Sequence, residues 1–331
     1  MPTKSIHTKG LILVWAFAES GIGGILHSLK LPFTGIFVGG IAVICVALLG
    51  FYSKENKNTI LKALAIVLMV KLTVSPQSPW QAYVAVIFQG YLGHFLFRNI
   101  SSFSLRTLVF SILCLLESAV QKILLSLLIY GITFFKAIDI SAQSIGKSMG
   151  YTGDGSIVIL IFGSYVVLHL FVGLMIGLWI PSIPAQVDEL SQQMSELTID
   201  SSDDKYNVRK QSKSVVFGFI IFAALLLCIH FLVPSIKLGD LIFIFVRAVL
   251  VSLILIFVLG PILLWILKSF SKGMKMDKHL LNEILEEIPL FTTQAFQVLY
   301  WVNGKYKGLE KIKNMVLGLL VIGQTQKIAG E

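Results

Sequence analysis

The sequence predicts an all-α protein: a polytopic membrane bundle of about eight transmembrane helices, six plus two, with an amphipathic cytoplasmic C-terminal tail. Three observations predict this class. Of the 331 residues, 56% are hydrophobic and only 14% are charged, whereas soluble domains carry about 25% charged residues. The mean hydropathy is +0.84. The apolar residues also form long runs instead of short alternating patterns, which argues against a soluble globular fold.

Eight apolar runs are long enough to cross a bilayer as helices, which takes roughly 17 to 25 residues. The first run contains Glu19, so it does not have the uninterrupted apolar core of a secretory signal, and we expect it to be retained. The predicted spans are 10–29, 33–52, 59–75, 80–97, 106–134, 156–180, 214–234 and 241–268.

Lysine and arginine cluster on one predicted side of the membrane. They lie in the N-terminus, in the connections 53–58 and 98–106, and in the segments 205–213 and 268–278. Because positive residues favour the cytoplasmic side, we expect a multi-pass protein of a bacterial inner membrane with both termini in the cytoplasm. The net charge of +9 therefore indicates orientation in the lipid bilayer and not a nucleic-acid partner. The other side receives short links and a longer loop at about 135–155.

Two polar segments divide the chain into four predicted parts. A six-helix bundle at 1–184 is followed by a polar cytoplasmic linker at 185–213, two further spans at 214–268 and the tail at 269–331. Apolar residues in the tail recur at helical spacing, which predicts an amphipathic helix broken at Pro289. This helix lies on the membrane or against a partner, or it belongs to a small cytoplasmic packing unit.

Small residues recur at the spacing that brings membrane helices together. Gly35 and Gly39 are four residues apart, as are Gly173 and Gly177. Such residues let two helix backbones approach closely where lipid supplies no hydrophobic drive. They predict a packed bundle and carry no information about a ligand.

Buried charges are the best functional lead. A carboxylate at a helix centre costs roughly 2.5 to 3.5 kcal/mol on insertion scales, so it must face protein, water or a partner. Glu19 and Glu117 both sit at such depths, with Gln121 and Lys122 one turn beyond Glu117. If the first and fifth spans touch, these groups share a solute pocket. A purely structural Glu19–Lys122 bridge is the alternative.

The segment 71–83 joins the third and fourth spans through two prolines, which force an extended path. Irregular backbone near the membrane is tolerated where it lines a cavity, so Lys71 and Gln81 are candidate binding residues of a pocket open to the outer side. The alternative is a tight turn with an interfacial Trp80 and a Lys71 that extends toward water.

Walker and metalloprotease motifs are absent from the sequence. No Walker loop and no H-E-x-x-H metal motif occurs, and the three cysteines each lie inside apolar runs without ligand spacing. We therefore expect no cofactor, no metal and no enzymatic activity, and an intramembrane enzyme is the third hypothesis. The first hypothesis is a transport protein or solute-binding subunit for a small polar or charged solute. The second is an accessory membrane protein that recruits a partner through its tail.

Residues 1–180 resemble the substrate-binding components of energy-coupling-factor vitamin transporters. The resemblance rests on the glycine-rich first helix and on three segments, Leu31-Pro32-Phe33-Thr34-Gly35, Ser75-Pro76-x-x-Pro79 and Gln89-Gly90-Tyr91-Leu92-Gly93. It implies a six-helix bundle whose outer half encloses a small-molecule solute and which works with a coupling subunit and ATPases. The last two spans and the tail extend beyond this resemblance.

Overall fold

Helices make up 95% of the residues that the computed structural model describes, and no strand occurs among them. The prediction of an all-α protein is therefore confirmed for that part of the chain. The structure describes residues 8–28, 33–53, 58–75, 78–99, 102–148, 150, 155–194, 220–221, 223–228, 231, 238–254, 257–258, 261–262, 265 and 278–325.

The first helix is interrupted by one π-helical turn. In chain order the helical elements are α1 (Thr8–Phe17), the π segment (Ala18–Ile22), α2 (Gly23–Ser28), α3 (Thr34–Tyr52), α4 (Thr59–Val74), α5 (Trp80–Asn99), α6 (Phe103–Ser148), α7 (Ile157–Trp179), α8 (Ile183–Met194), α9 (Leu238–Ile254), α10 (Lys278–Lys305) and α11 (Gly308–Thr325).

Four helical stretches in the described ranges are long and apolar enough to cross a membrane. They are Thr8–Leu26, Thr34–Tyr52, Phe103–Ser148 and Ile157–Met194. The helices predicted at 59–75 and 80–97 are present as α4 and α5. Most of the predicted span at 214–234 and the end of the span at 241–268 lie outside the described residues, so the count of eight stays a prediction.

Two predicted loops are wrong at their boundaries. Helix α6 runs for 46 residues to Ser148, so most of the loop expected at 135–155 is helical. The polar linker expected from residue 185 begins as α8, and its remainder, 195–213, lies outside the described residues. Both segments contain good helix formers among their polar residues, and those residues do not prevent the helices from continuing.

The chain divides into two compact units. The first combines Met1–Leu115, Phe171–Asn207 and Leu267–Glu331, and the second combines Leu116–Leu170 and Val208–Ile266. The described tail helices thus belong to the same unit as the first five helices. The predicted six-helix bundle, in contrast, contributes residues to both units.

Helix α1 lies at the centre of the first unit. Every residue from Gly10 to Phe17 is buried, and α3, α4, α10 and α11 pack around it. A helix that is apolar on all sides is stable only when it is surrounded in this way, by protein or lipid. The predicted close approach at Gly173 and Gly177 is also confirmed, since Thr107 donates a hydrogen bond of 3.0 Å to the Gly177 carbonyl.

The predicted helix break at Pro289 is wrong, because α10 continues through this residue. A proline removes one backbone hydrogen bond, but the apolar stripe on either side of it stays in register. Its buried members are three and four residues apart, the spacing of one helix face: Leu281, Ile284, Ile288, Phe291, Ala295, Val298 and Val302. Packing of this continuous stripe holds the helix together across the proline.

The tail helices hold α1 near its beginning. Lys9 binds Glu283 at 2.5 Å and Glu287 at 2.6 Å. One helical turn further along α10, Phe291 meets Phe17 edge to face, with ring centroids 5.2 Å apart. Contacts at both ends of α1 thus fix its position against α10.

The second unit has its own small core between α6 and α9. Its buried members are Phe134, Ala137, Leu226, Leu241, Ile244 and Ala248. Asp139 of α6 accepts hydrogen bonds from Ser156 at 2.6 Å and from the Val158 backbone at 3.0 Å. The bond from Val158 satisfies a backbone donor at the start of α7 that has no partner inside that helix.

Helix α6 kinks at Gly131, where the backbone has φ +76° and ψ +161°. This conformation is essentially restricted to glycine, and other residues there cost about 1–3 kcal/mol. A Cβ at this position would also lie 2.7 Å from Nη1 of Arg247. The kink therefore requires glycine both for its backbone and for the guanidinium beside it.

We expect Gly131→Ala to lower the free energy of unfolding by about 1–3 kcal/mol, because alanine strains the kink. The measurement is thermal unfolding in detergent, followed by circular dichroism. Gly163→Ala in the same unit is the control, since no atom lies within 4 Å of a Cβ there. A loss in the control equal to that of Gly131→Ala would contradict the role assigned to the kink.

Candidate functional site

The π-helical turn at Ala18–Ile22 presents Glu19 inside the first unit. The N–H of Gly23 bonds the carbonyl of Ala18, five residues back, in place of the usual four-residue step. Such turns are rare and occur often at functional sites. The turn changes the direction of side chains in the middle of the first apolar run, where Glu19 is only 4% exposed.

The ammonium of Lys71 binds Glu19 twice. Nζ donates to Oε2 of the Glu19 carboxylate at 2.6 Å and to the Glu19 backbone carbonyl at 3.0 Å. Lys71 lies in the last turn of α4 and its side chain is fully buried. The pair is therefore a buried, charge-neutral unit in which each charge compensates the other.

An aromatic ring contacts the same ammonium from α5. Nζ of Lys71 lies 5.7 Å from the centroid of the Tyr83 ring, within the distance of a cation–π contact. The Tyr83 hydroxyl in turn donates to the backbone carbonyl of Ser75 at 3.4 Å. The ring is thus held beside the ion pair by the end of the neighbouring helix.

The α4–α5 turn is closed by a pair of serines. The hydroxyl oxygens of Ser75 and Ser78 are 2.8 Å apart, and both residues are buried. A Cβ on Gly24 of α2 would lie 2.9 Å from Oγ of Ser75, so α2 and the turn are in direct contact. These contacts favour the tight turn, but the expectation that Lys71 extends toward water is wrong, because its side chain is buried against Glu19. Pro76 and Gln77, at its centre, lie outside the described residues.

The six predicted binding residues divide between the two units. Glu19 and Lys71 bind each other, and Gln81 is half-buried in the first turn of α5. Glu117, Gln121 and Lys122 lie on α6 in the second unit. Glu117 is half-buried, and its Oε2 has no hydrogen-bond partner in the described part of the chain.

The structural bridge predicted between Glu19 and Lys122 is wrong in its partner, since the Glu19 carboxylate binds Lys71. A count of residues from Lys9 and from Thr59, where the first and third predicted spans begin, indicates this pairing. Glu19 is ten residues beyond Lys9, and Lys71 is twelve beyond Thr59, so the two lie within about 3 Å of the same depth at 1.5 Å per residue. No feature of the sequence indicated that the Tyr83 ring contacts the Lys71 ammonium.

A metal centre has no support in the residues that the structure describes, where no three His, Cys, Asp or Glu side chains come together. The Glu19 site offers one carboxylate oxygen and one carbonyl oxygen to the group that it holds. That set is smaller than the six or more oxygens that a hard divalent cation takes.

In comparisons with known proteins, no family model, no curated protein and no solved structure matches this chain.

Proposed function

We propose that this chain is a multi-pass membrane protein that transports a small polar or charged solute, or that binds one as a subunit of a transporter. The four apolar helices support membrane insertion. So do the large apolar side chains that α7 exposes, such as Ile159 at 72% and Leu160 at 70%, because a lipid environment covers such surfaces.

The buried Glu19–Lys71 pair is the observation that carries a transport function. Ionisable groups within membrane spans are costly and commonly mark solute or ion pathways. Interrupted helices at such depths are a feature of transporter binding sites. The π-helical turn places Glu19 at an interruption of this kind, in the first helix that is long enough to span the membrane.

The proposed setting is the inner membrane of a bacterium, with both termini in the cytoplasm, as the lysine and arginine distribution indicates. If the protein is a binding subunit, its partners are a coupling subunit and ATPases. The resemblance of residues 1–180 to vitamin-binding components supports this arrangement. The beginning of α10 would then lie on the cytoplasmic side, where Lys9 holds Glu283 and Glu287.

Binding by the purified full-length protein tests this function. Its thermal unfolding in detergent is followed against a panel of amino acids, polyamines and water-soluble vitamins. We expect at least one of these solutes to stabilise the wild type. A double variant, Glu19→Gln with Lys71→Met, is expected to bind that solute at least about tenfold more weakly, because loss of a buried charge contact costs about 2 kcal/mol or more.

Lys62→Met is the matched control, since it removes an exposed lysine from the same helix as Lys71. It should bind the solute like the wild type. Glu117→Gln is assayed in parallel and reports whether the second unit contributes to the same binding. Equal affinity in the wild type and the double variant, or no binding of any solute, would contradict the proposal.

An accessory membrane protein is the second candidate function, and one observation favours it. The ammonium of Lys71 is already bonded to two oxygens of Glu19, which also suits a permanent lock between α4 and the π-helical turn. In that case the neutral double variant would keep the protein's biological role as long as it stays folded.

A further inference from the structure

We infer that the Glu19 site is a binding site for a primary ammonium group and that Lys71 occupies it from within the chain. The solute class of the proposed function is then a small organic cation with a primary ammonium. This assignment of class rests on the proposed function, whereas the chemistry of the site itself rests on the contacts around Lys71.

In the described part of the chain, this ammonium contacts electron-rich groups. They are the carboxylate and the backbone carbonyl of Glu19, together with the face of the Tyr83 ring. An ammonium has three N–H donors and no acceptor. Two hydrogen bonds to oxygens and one cation–π contact with the ring therefore hold this ammonium.

This set of groups discriminates between kinds of ligand. An anion would meet the Glu19 carboxylate and be repelled at short range. A divalent metal ion requires more oxygens than the two that contact Lys71. A primary ammonium on a short chain needs only what the site offers, and an aromatic face is a common surface for binding such cations.

Exchange follows from the energetics of the buried carboxylate. If Lys71 leaves, Glu19 remains as an uncompensated charge in an apolar environment, which is strongly unfavourable. Another cation must then take the place of the ammonium. Lys71 is attached three residues before the end of α4, so the proposed exchange requires that helix end to move and withdraw the ammonium.

Chemical rescue of a vacated site tests this inference. Lys71→Ala removes three methylenes and the ammonium, and n-propylammonium replaces the same atoms. We expect n-propylammonium to raise the Tm of the full-length Lys71→Ala protein saturably, by about 2 °C at ten times its Kd. Tetramethylammonium, which has no N–H donor, should have no such effect at equal ionic strength.

The double variant Glu19→Gln with Lys71→Ala is the matched control and should not respond to n-propylammonium. If Lys71→Ala cannot be isolated alone, recovery is the readout, and it should occur in n-propylammonium but not in tetramethylammonium. The inference would be overturned if the Lys71→Ala protein were recovered in neither salt while the double variant was recovered. An equal response of the double variant would do the same.

The wild type separates exchange from a permanent lock. It should bind n-propylammonium at least about tenfold more weakly than Lys71→Ala, because Lys71 occupies the site in most molecules. A wild type without any response at about a thousand times the Kd of Lys71→Ala would overturn exchange. These readouts need no transport assay, so rescue in the absence of binding by any solute of the panel would count against the proposed function alone.

Discussion

Lys71→Met is expected to destabilise the folded protein by about 3–5 kcal/mol, the cost of leaving one partner of a buried ion pair uncompensated. Methionine preserves most of the side-chain volume, so the loss reports the charge and its hydrogen bonds and not a cavity. The remaining Glu19 carboxylate is 4% exposed, and water cannot replace the lost ammonium. Glu19→Gln should produce a loss of similar size by leaving Lys71 uncompensated.

The double variant Glu19→Gln with Lys71→Met should recover most of this stability, because replacing both charges with neutral groups is often neutral or stabilising. Thermal unfolding of the four proteins in detergent gives the coupling energy of the pair. Lys62→Met, on the exposed face of α4, should change the Tm little. Additive effects of the two single substitutions would show that the two side chains are not coupled and would contradict the pairing.

The sequence predicted helices well where apolar runs are long, since length and hydropathy determine a membrane helix almost locally. The runs at 10–29, 33–52 and 156–180 correspond to helices that begin or end within a few residues of those limits. The need for a partner of Glu19 was also predictable from the neighbouring residues alone, because a carboxylate in an apolar run requires compensation in any fold.

The identity of that partner could not be predicted from the residues around Glu19. Lys71 is 52 residues from Glu19 in the sequence. Several charged residues lie at a similar predicted depth, and each of them met the requirement for a partner of the Glu19 carboxylate. Which residue pairs with Glu19 depends on which helices are neighbours, and that order follows from packing of small residues such as Gly24 against the α4–α5 turn. The helical register of that contact cannot be read from hydropathy.

The packing partner of the tail could not be predicted from nearby sequence either. Its amphipathic pattern predicted a helix with one apolar face but not the surface that covers this face. The structure places that face on α1 and α11, although α1 precedes α10 by more than 250 residues in the sequence. The predicted helix break at Pro289 is wrong because the apolar stripe continues across this residue and its packing compensates the lost hydrogen bond.

Gly10→Leu is expected to separate α11 from α1 and to destabilise the first unit by about 3 kcal/mol, the upper end of the usual cost of overpacking. A Cβ on Gly10 would overlap the backbone carbonyl of Gly323. A side chain can rotate away from such a clash, but a backbone carbonyl in a helix cannot, so the two helices must move apart. The expected results are a lower Tm and faster trypsin cleavage within α11.

Gly304→Leu is the matched control, because it adds the same side chain at a position of α10 where no atom lies within 4 Å of a Cβ. Gly323→Ala tests the contact from the other side, since its Cβ would lie 2.8 Å from Cγ2 of Val14 and 2.9 Å from the Gly10 carbonyl. The contact lies about 14 Å before Glu19 along α1, at 1.5 Å per residue. A shift of α11 therefore acts on the same helix that presents the ion pair. If Gly10→Leu matched Gly304→Leu in both Tm and cleavage rate, the packing of the tail on α1 would be contradicted, and with it the connection between the tail and the Glu19 site.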